Sequence, residues 1–142
     1  MYEATTKAFT EADGAIMCAA VADFTPAEVA ANKLKRGEED LTITLQPTQD
    51  IAAALGKLKQ PHQCLVGFAL ETDQEEKNAQ SKLARKNLDF IVLNSLNDKG
   101  AGFQHDTNQI SIIDATTTTH YPLKSKQEVA QDIVNRLVEI MA

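Results

Sequence analysis

The apolar positions along the chain change period several times, and each change marks an element. From Met1 to Ala12, Tyr2, Thr6, Phe9 and Ala12 recur near one face of a helix, and Asp13-Gly14 breaks that pattern. Ala15 to Ala22 is an uninterrupted apolar run, which predicts a strand covered on both faces, as in a parallel sheet. Residues 23–40 are polar, with one proline and no clear period. Leu41-Thr42-Ile43-Thr44-Leu45 alternates, the pattern of a half-buried strand. Pro47 and Thr48 precede a short helix from Gln49 to about Lys59, closed by Pro61. Cys64–Ala69 and Phe90–Leu93 are two more continuous runs and read as buried strands. Between them, Asp73–Lys86 carries its acids early and its bases late, as the helix dipole favours. After a glycine-containing loop, Gln109–Ile113 and His120–Leu123 flank a threonine-rich turn and predict a hairpin. Ser125 and Glu128 have capping-box spacing and open a last helix, with Val129, Ile133, Val134, Leu137 and Ile140 on one side.

Strand and helix alternate through the middle, which predicts an α/β fold: a mostly parallel sheet with helices on both faces and an antiparallel C-terminal hairpin. The chain opens on a helix, where such folds normally open on a strand and a glycine-rich turn. No G-x-G-x-x-G and no Walker A lysine occur in the 142 residues. Their absence suggests a fragment.

Length and composition narrow the classes. One domain is expected over residues 1–142, large enough to fold without disulfide or metal. Hydrophobic content of 43% and charged content of 24% are those of an ordinary globular protein. Twenty acids against 14 bases give a net charge of −6, which argues against nucleic acid or an anionic membrane as partner. A small phosphorylated ligand needs only a local basic cluster and stays open. Cys18 and Cys64 both lie inside apolar runs, as reduced core cysteines of a cytoplasmic protein do. No apolar stretch approaches a membrane span and no signal-peptide pattern is present.

Ligands of open parallel sheets bind outside the carboxyl ends of the strands. Those ends carry Asp23, Glu71-Thr72 and Asn94, which equally suit turns and caps. Lys33, Lys35 and Arg36 sit in a long loop, either a solvated surface turn or a basic flap able to fold over a polyphosphate. Glu38, Glu39 and Asp40 are positioned to pair with these bases when nothing is bound. Lys82 and Lys86 stand at i and i+4 on one helix side, again consistent with the dipole alone. Phe68 next to Gly67 is either core or cover for a base or ribose, with the glycine leaving open space. His62, His105 and His120 have no partner at a recognisable spacing.

AAVADFTP, NKLKR, LTITLQPTQDI, VGFALET, KLARKNLDFIVLN and the GF-x-x-D-x-N of Gly102 to Asn108 occur in this order. The ordered set resembles the phosphopantothenoylcysteine synthetase domain of bacterial coenzyme A biosynthesis, usually fused behind a flavin-dependent decarboxylase. It extends from Met1 through Ile113 and more loosely to the C-terminal helix. The resemblance implies a Rossmann-like fold, a homodimer for the full domain and a CTP-dependent ligase. In that reaction the carboxylate of 4′-phosphopantothenate attacks CTP with Mg²⁺, and L-cysteine then displaces CMP from the acyl-cytidylate. Carried over by position, the nucleotide contacts fall on Met17, Cys18 and Ala19 through backbone, and on Asp23, Lys33, Gln49, Asp50, Ile51, Ala52, Phe68, Lys82 and Lys86. Lys33 takes the catalytic role. The family's Lys-x-Lys-Lys ends here in Arg36, and its Asn-Pro-Asp-Ile reads Thr48-Gln49-Asp50-Ile51, without the proline. The glycine-rich first turn and an asparagine-bearing loop that precede this region in the family have no counterpart, so the chain reads as the C-terminal part of the domain. FMN is not expected in it. A non-catalytic nucleotide-binding or interaction module is the alternative.

Overall fold

The continuous apolar runs form the middle of a sheet. The computed structural model describes residues 1–36, 40–95 and 105–142, and statements about the structure refer to these residues. In chain order the elements are α1 (Tyr2–Phe9), β1 (Gly14–Met17), β2 (Phe24–Pro26), β3 (Leu45–Pro47), α2 (Ile51–Leu58), β4 (Cys64–Glu71) and α3 (Glu75–Arg85). They continue with β5 (Phe90–Ser95), β6 (Thr107–Asn108), β7 (Ile110–Asp114), β8 (Thr118–His120), β9 (Lys124–Ser125) and α4 (Lys126–Met141). The chain divides into two compact units, Met1–Cys18 with Ile51–Ala142, and Ala19–Asp50.

The larger unit is α/β and Rossmann-like. Its main sheet has the order β1-β4-β5-β7-β8, parallel through β5 and antiparallel beyond. Side chains of a strand alternate between faces, so β4 feeds two apolar clusters. Leu65 and Ala69 join Phe9, Ile51, Leu55, Ala79, Leu83 and Ile91 on the side of α1, α2 and α3. Cys64 and Val66 join Phe90, Val92, Ile110, Ile112, Val129 and Ile133 on the side of α4. At the amino end of the strands, Asp89 binds Lys59 Nζ through both carboxylate oxygens at 2.9 Å and accepts the Leu65 amide at 2.6 Å. One carboxylate thus ties the end of α2 to two adjacent strands.

The hairpin and the last helix are fastened by side chains. Asp114 accepts the amides and hydroxyls of Thr116 and Thr117 and pairs with Arg136 of α4 at 2.8 Å. Its burial opposes the charge, but those four hydrogen bonds outweigh it and hold the carboxyl well below the usual range. Ser125 and Glu128 form the expected capping box. The short pair of β6 and β9, which no sequence period marked, closes this end.

Several expectations change. The Ala15–Ala22 run is a strand only to Met17, and beyond it the chain leaves the sheet. Leu41 to Thr44 are not a strand. The ladder in the smaller unit pairs Leu45–Pro47 with Phe24–Pro26, and Thr48 fastens it by bonding the carbonyls of Ala22 and Asp23. Alternation had no face to bury there: every described residue from Ala19 to Asp50 is exposed except the half-buried Thr48. On α4, Val129 and Ile133 are buried, whereas Val134 and Ile140 are exposed because they flank the stripe that faces the sheet. Gly67 does not leave open space; a Cβ there would stand 2.5 Å from Leu88 Cδ1. Among the described residues no helix is long and apolar enough to cross a membrane.

Gly56 carries a backbone contact no other residue permits. A Cβ at this position of α2 would lie inside the Lys86 carbonyl, while Asn87 Nδ2 donates to the Gly56 carbonyl at 2.8 Å. Gly56→Ala is therefore expected to cost about 3 kcal/mol in a urea melt, by forcing α2 off α3. Asp114→Asn is expected to cost about 2 kcal/mol at neutral pH. Because the native carboxyl titrates below the unfolded one, this difference persists above about pH 4 and shrinks as pH falls further. Chemical melts of both proteins across that range measure it.

Candidate functional site

The carboxyl rim of β4 and β5 is built from paired polar groups. Glu71, the last residue of β4, accepts Lys82 Nζ at 2.6 Å and Asn78 Nδ2 at 3.3 Å. Asn78 also bonds the carbonyl of Asp73, which holds the turn into α3. On β5, Asn94 Oδ1 accepts Asn108 Nδ2 at 2.6 Å, and Asn108 Oδ1 accepts the amide of Gln109. The Asn94–Asn108 pair joins the two sides of the rim. Its sequence signal was the terminal asparagine of GF-x-x-D-x-N; Gly102 and Phe103 of that motif lie outside the described residues.

The carried-over positions are distributed as follows. Lys82 is half-exposed on α3 and engaged with Glu71. Lys86 is the C-cap of α3, its amide bonded to the Lys82 carbonyl at 3.0 Å. Phe68 is half-buried among the α4-side cluster, across the sheet from Lys82. Ile51 is buried at the start of α2, and Ala52 beside it is half-buried. Gln49 and Asp50 end the smaller unit and are exposed.

Met17 ends β1, and Cys18 and Ala19 follow it in exposed chain outside the strand. Asp23 is not at a strand end, as the sequence had implied. It enters β2 in the smaller unit with its carbonyl bonded to the Thr48 amide. Lys33, Lys35 and Arg36 are exposed in that unit, in backbone without regular structure. Glu38 and Glu39 lie outside the described residues. Exposed charges of one sign, clustered within four residues, supply a local positive field without needing burial.

A second polar group was missed at the sequence level. Ser111 Oγ lies 2.8 Å from His120 Nδ1, and His120 Nε2 is 3.9 Å from Glu76. With Gln109 and Glu75 they line a cleft of about 190 Å³ between α3 and the edge of the hairpin. Ser111 and His120 pair across β7 and β8, a neighbourhood set by hairpin register and invisible in spacing alone. No group of three or more His, Cys, Asp or Glu able to hold a metal occurs among the described residues.

The family model described as DNA/pantothenate metabolism flavoprotein C-terminal domain matches residues 1–141. The chain belongs to this family. A relative named Coenzyme A biosynthesis bifunctional protein CoaBC, from Bacillus subtilis, is 40% identical over 99% of this chain and 34% of its own length. One named Cysteine/Cysteine sulfinic acid decarboxylase, from an unknown prokaryotic organism, is 56% identical over 99% of this chain and 40% of its own. The chain thus spans well under half the length of these curated relatives. The crystal structure of the C-terminal domain of CoaBC has a TM-score of 0.77 at 31% identity, covering 99% of this chain and 60% of that one. The fold described above matches the fold of about three fifths of that domain.

The two thiols of this family member differ sharply. Cys64 is buried, and that burial, with the Asp89 charge opposed by Lys59, pushes its thiol up to about 11. Cys18 is exposed, contrary to the core position its apolar run implied. Labelling of the native protein with a thiol reagent at pH 8 is expected to modify Cys18 alone, with Cys64 reacting only after denaturation. Mass mapping of the labelled peptides checks this.

Proposed function

We propose that this chain carries the nucleotide-facing part of a CTP-dependent ligase joining 4′-phosphopantothenate to L-cysteine. The observation that supports the reading most is the match over residues 1–141 to a pantothenate-metabolism family, together with 40% identity to a CoaBC. A carboxylate is a poor acceptor for an amine until a phosphoryl leaving group is attached. In the proposed reaction the phosphopantothenate carboxylate attacks the α-phosphate of CTP and pyrophosphate leaves. The cysteine amine then attacks the acyl carbon, the bond from that carbon to the phosphate oxygen breaks, and CMP departs with the oxygen while the amine loses a proton. Both steps are limited by negative charge, so cations placed around the phosphates supply the largest gain. Lys33 takes this role, with Lys35 and Arg36 adding to the field. Asp23, Met17, Cys18, Ala19, Gln49 to Ala52, Phe68, Lys82 and Lys86 are assigned to the nucleotide. The Lys82–Glu71 pair must open, or hold the nucleotide through its remaining donors. Mg²⁺ enters as the partner of the triphosphate, whose charge it screens.

The smaller unit supports a homodimer. Phe24, Val29, Leu34, Leu41, Ile43 and Leu45 are all exposed on it, a density of apolar groups that a second copy would cover. In this proposal the whole domain is cytoplasmic and is joined to a decarboxylase domain that alone binds FMN. The chain by itself is expected to show weak ligase activity or none. A second reading is a nucleotide-binding module without catalysis. Titration with CTP, with ATP and CMP as controls, separates the two. A marked CTP preference supports the ligase reading, and equal binding of all three favours the module. In a longer chain containing the family's N-terminal part, Lys33→Gln is expected to slow acyl-cytidylate formation on the order of 100-fold. An unchanged rate in single-turnover assays would remove Lys33 from its role.

A further inference from the structure

Strand parity brings a histidine to the first turn of α3. Leu93, Ser111 and His120 stand side by side across β5, β7 and β8, and residues paired in this way share a face of the sheet. That face is the one α3 covers, because Leu93 and Ile113, two residues on from Ser111, both belong to the α3-side cluster. Glu75 and Glu76 form the acidic first turn of α3 and line the cleft together with Gln109, Ser111 and His120. Among the described residues no lysine or arginine lines it, so the charge there is negative. Half-buried Ser111 orients the imidazole: its Oγ lies 2.8 Å from Nδ1. With Oγ accepting the Nδ1 proton, Nε2 presents a lone pair, 3.9 Å from Glu76 Oε1. That separation is too long for a hydrogen bond. It is close to the spacing of two ligands on one ion, since bonds of about 2.1 Å at a tetrahedral angle put their donor atoms about 3.4 Å apart. Rotation of the exposed Glu76 side chain closes the difference.

We infer that this cleft binds a divalent transition-metal ion through His120 Nε2 and the Glu76 carboxylate, with Ser111 Oγ holding the ring from behind. A hydrogen bond on the far ring nitrogen is the usual support of a ligating histidine, because it sets both tautomer and direction. An imidazole beside a carboxylate suits Cu²⁺, Ni²⁺ or Zn²⁺, whereas Mg²⁺ takes oxygen ligands. The amino end of α3 opposes a cation with about half an elementary charge, which the two carboxylates of its first turn outweigh. Two protein ligands are fewer than a closed structural site uses, so water completes the sphere and the ion exchanges readily. A bound ion would clamp the edge strand β8 to α3. The cleft uses neither the basic cluster nor any residue assigned to the nucleotide, so the inference stands or falls apart from the ligase reading.

The test titrates Ni²⁺ into the full chain and follows it by calorimetry and by paramagnetic broadening of the amide signals. Broadening is expected to centre on Glu76, Ser111 and His120. His120→Ala and Glu76→Gln, both at exposed positions that the fold tolerates, are each expected to weaken binding at least about tenfold, the smallest loss usual when even a ligand's hydrogen-bond partner is removed. Broadening centred on His62 or His105, or none at all, overturns the inference. An affinity unchanged in either variant also overturns it, because a lone imidazole or a lone carboxylate is not this site. So does displacement of Ni²⁺ by an equal concentration of n-butylammonium, which makes an organic cation the occupant.

Discussion

The alternation of β4 between two apolar layers is the constraint on which the larger unit rests. Eight residues in one strand supply both faces of the core, and the strand is bonded on both sides. Its position is fixed at the amino end by the carboxylate of Asp89, which satisfies one amide of β4 and the lysine just after α2 together. That charge is tolerated because it is hydrogen-bonded on both oxygens; left unpaired at such a site it would be costly. From this anchor the strand delivers Glu71 and Phe68 to the opposite rim on different faces of the sheet.

Where the sequence pattern was backed by burial, it was readable. Cys64–Ala69 and Phe90–Leu93 are continuous because both faces are covered, and both are central strands. The capping box at Ser125 carried the start of α4 for the same local reason. Ala15–Ala22 misled because small apolar residues are consistent with a strand and with an exposed connection alike. Leu41–Leu45 misled differently: its period of two is real, yet among the described residues nothing covers the apolar side. Alternation alone did not make it a strand, and the ladder with β2 begins only at Leu45.

The candidate site was legible in kinds of residue and less so in their relations. A basic cluster ten residues after an aspartate was visible, as was the polar rim at Glu71 and Asn94. That Lys82 is already engaged by Glu71, and that Phe68 faces away from it, depends on strand parity and helix placement. The Ser111–His120 contact likewise follows from hairpin register. These are consequences of tertiary geometry, and no spacing rule along the chain encodes them.

The close approach at Gly56 has a mechanical meaning. Ile51 and Ala52 open α2, Gly56 lies a little over one turn further on, and there the helix backbone presses against the carbonyl of Lys86. With Asn87 bonded back to Gly56, the start of α2 and the end of α3 move as one solid piece. A molecule held at both Ile51–Ala52 and Lys86 would meet a span of constant length. Selection by size at that end of the larger unit would then be a matter of a rigid gauge.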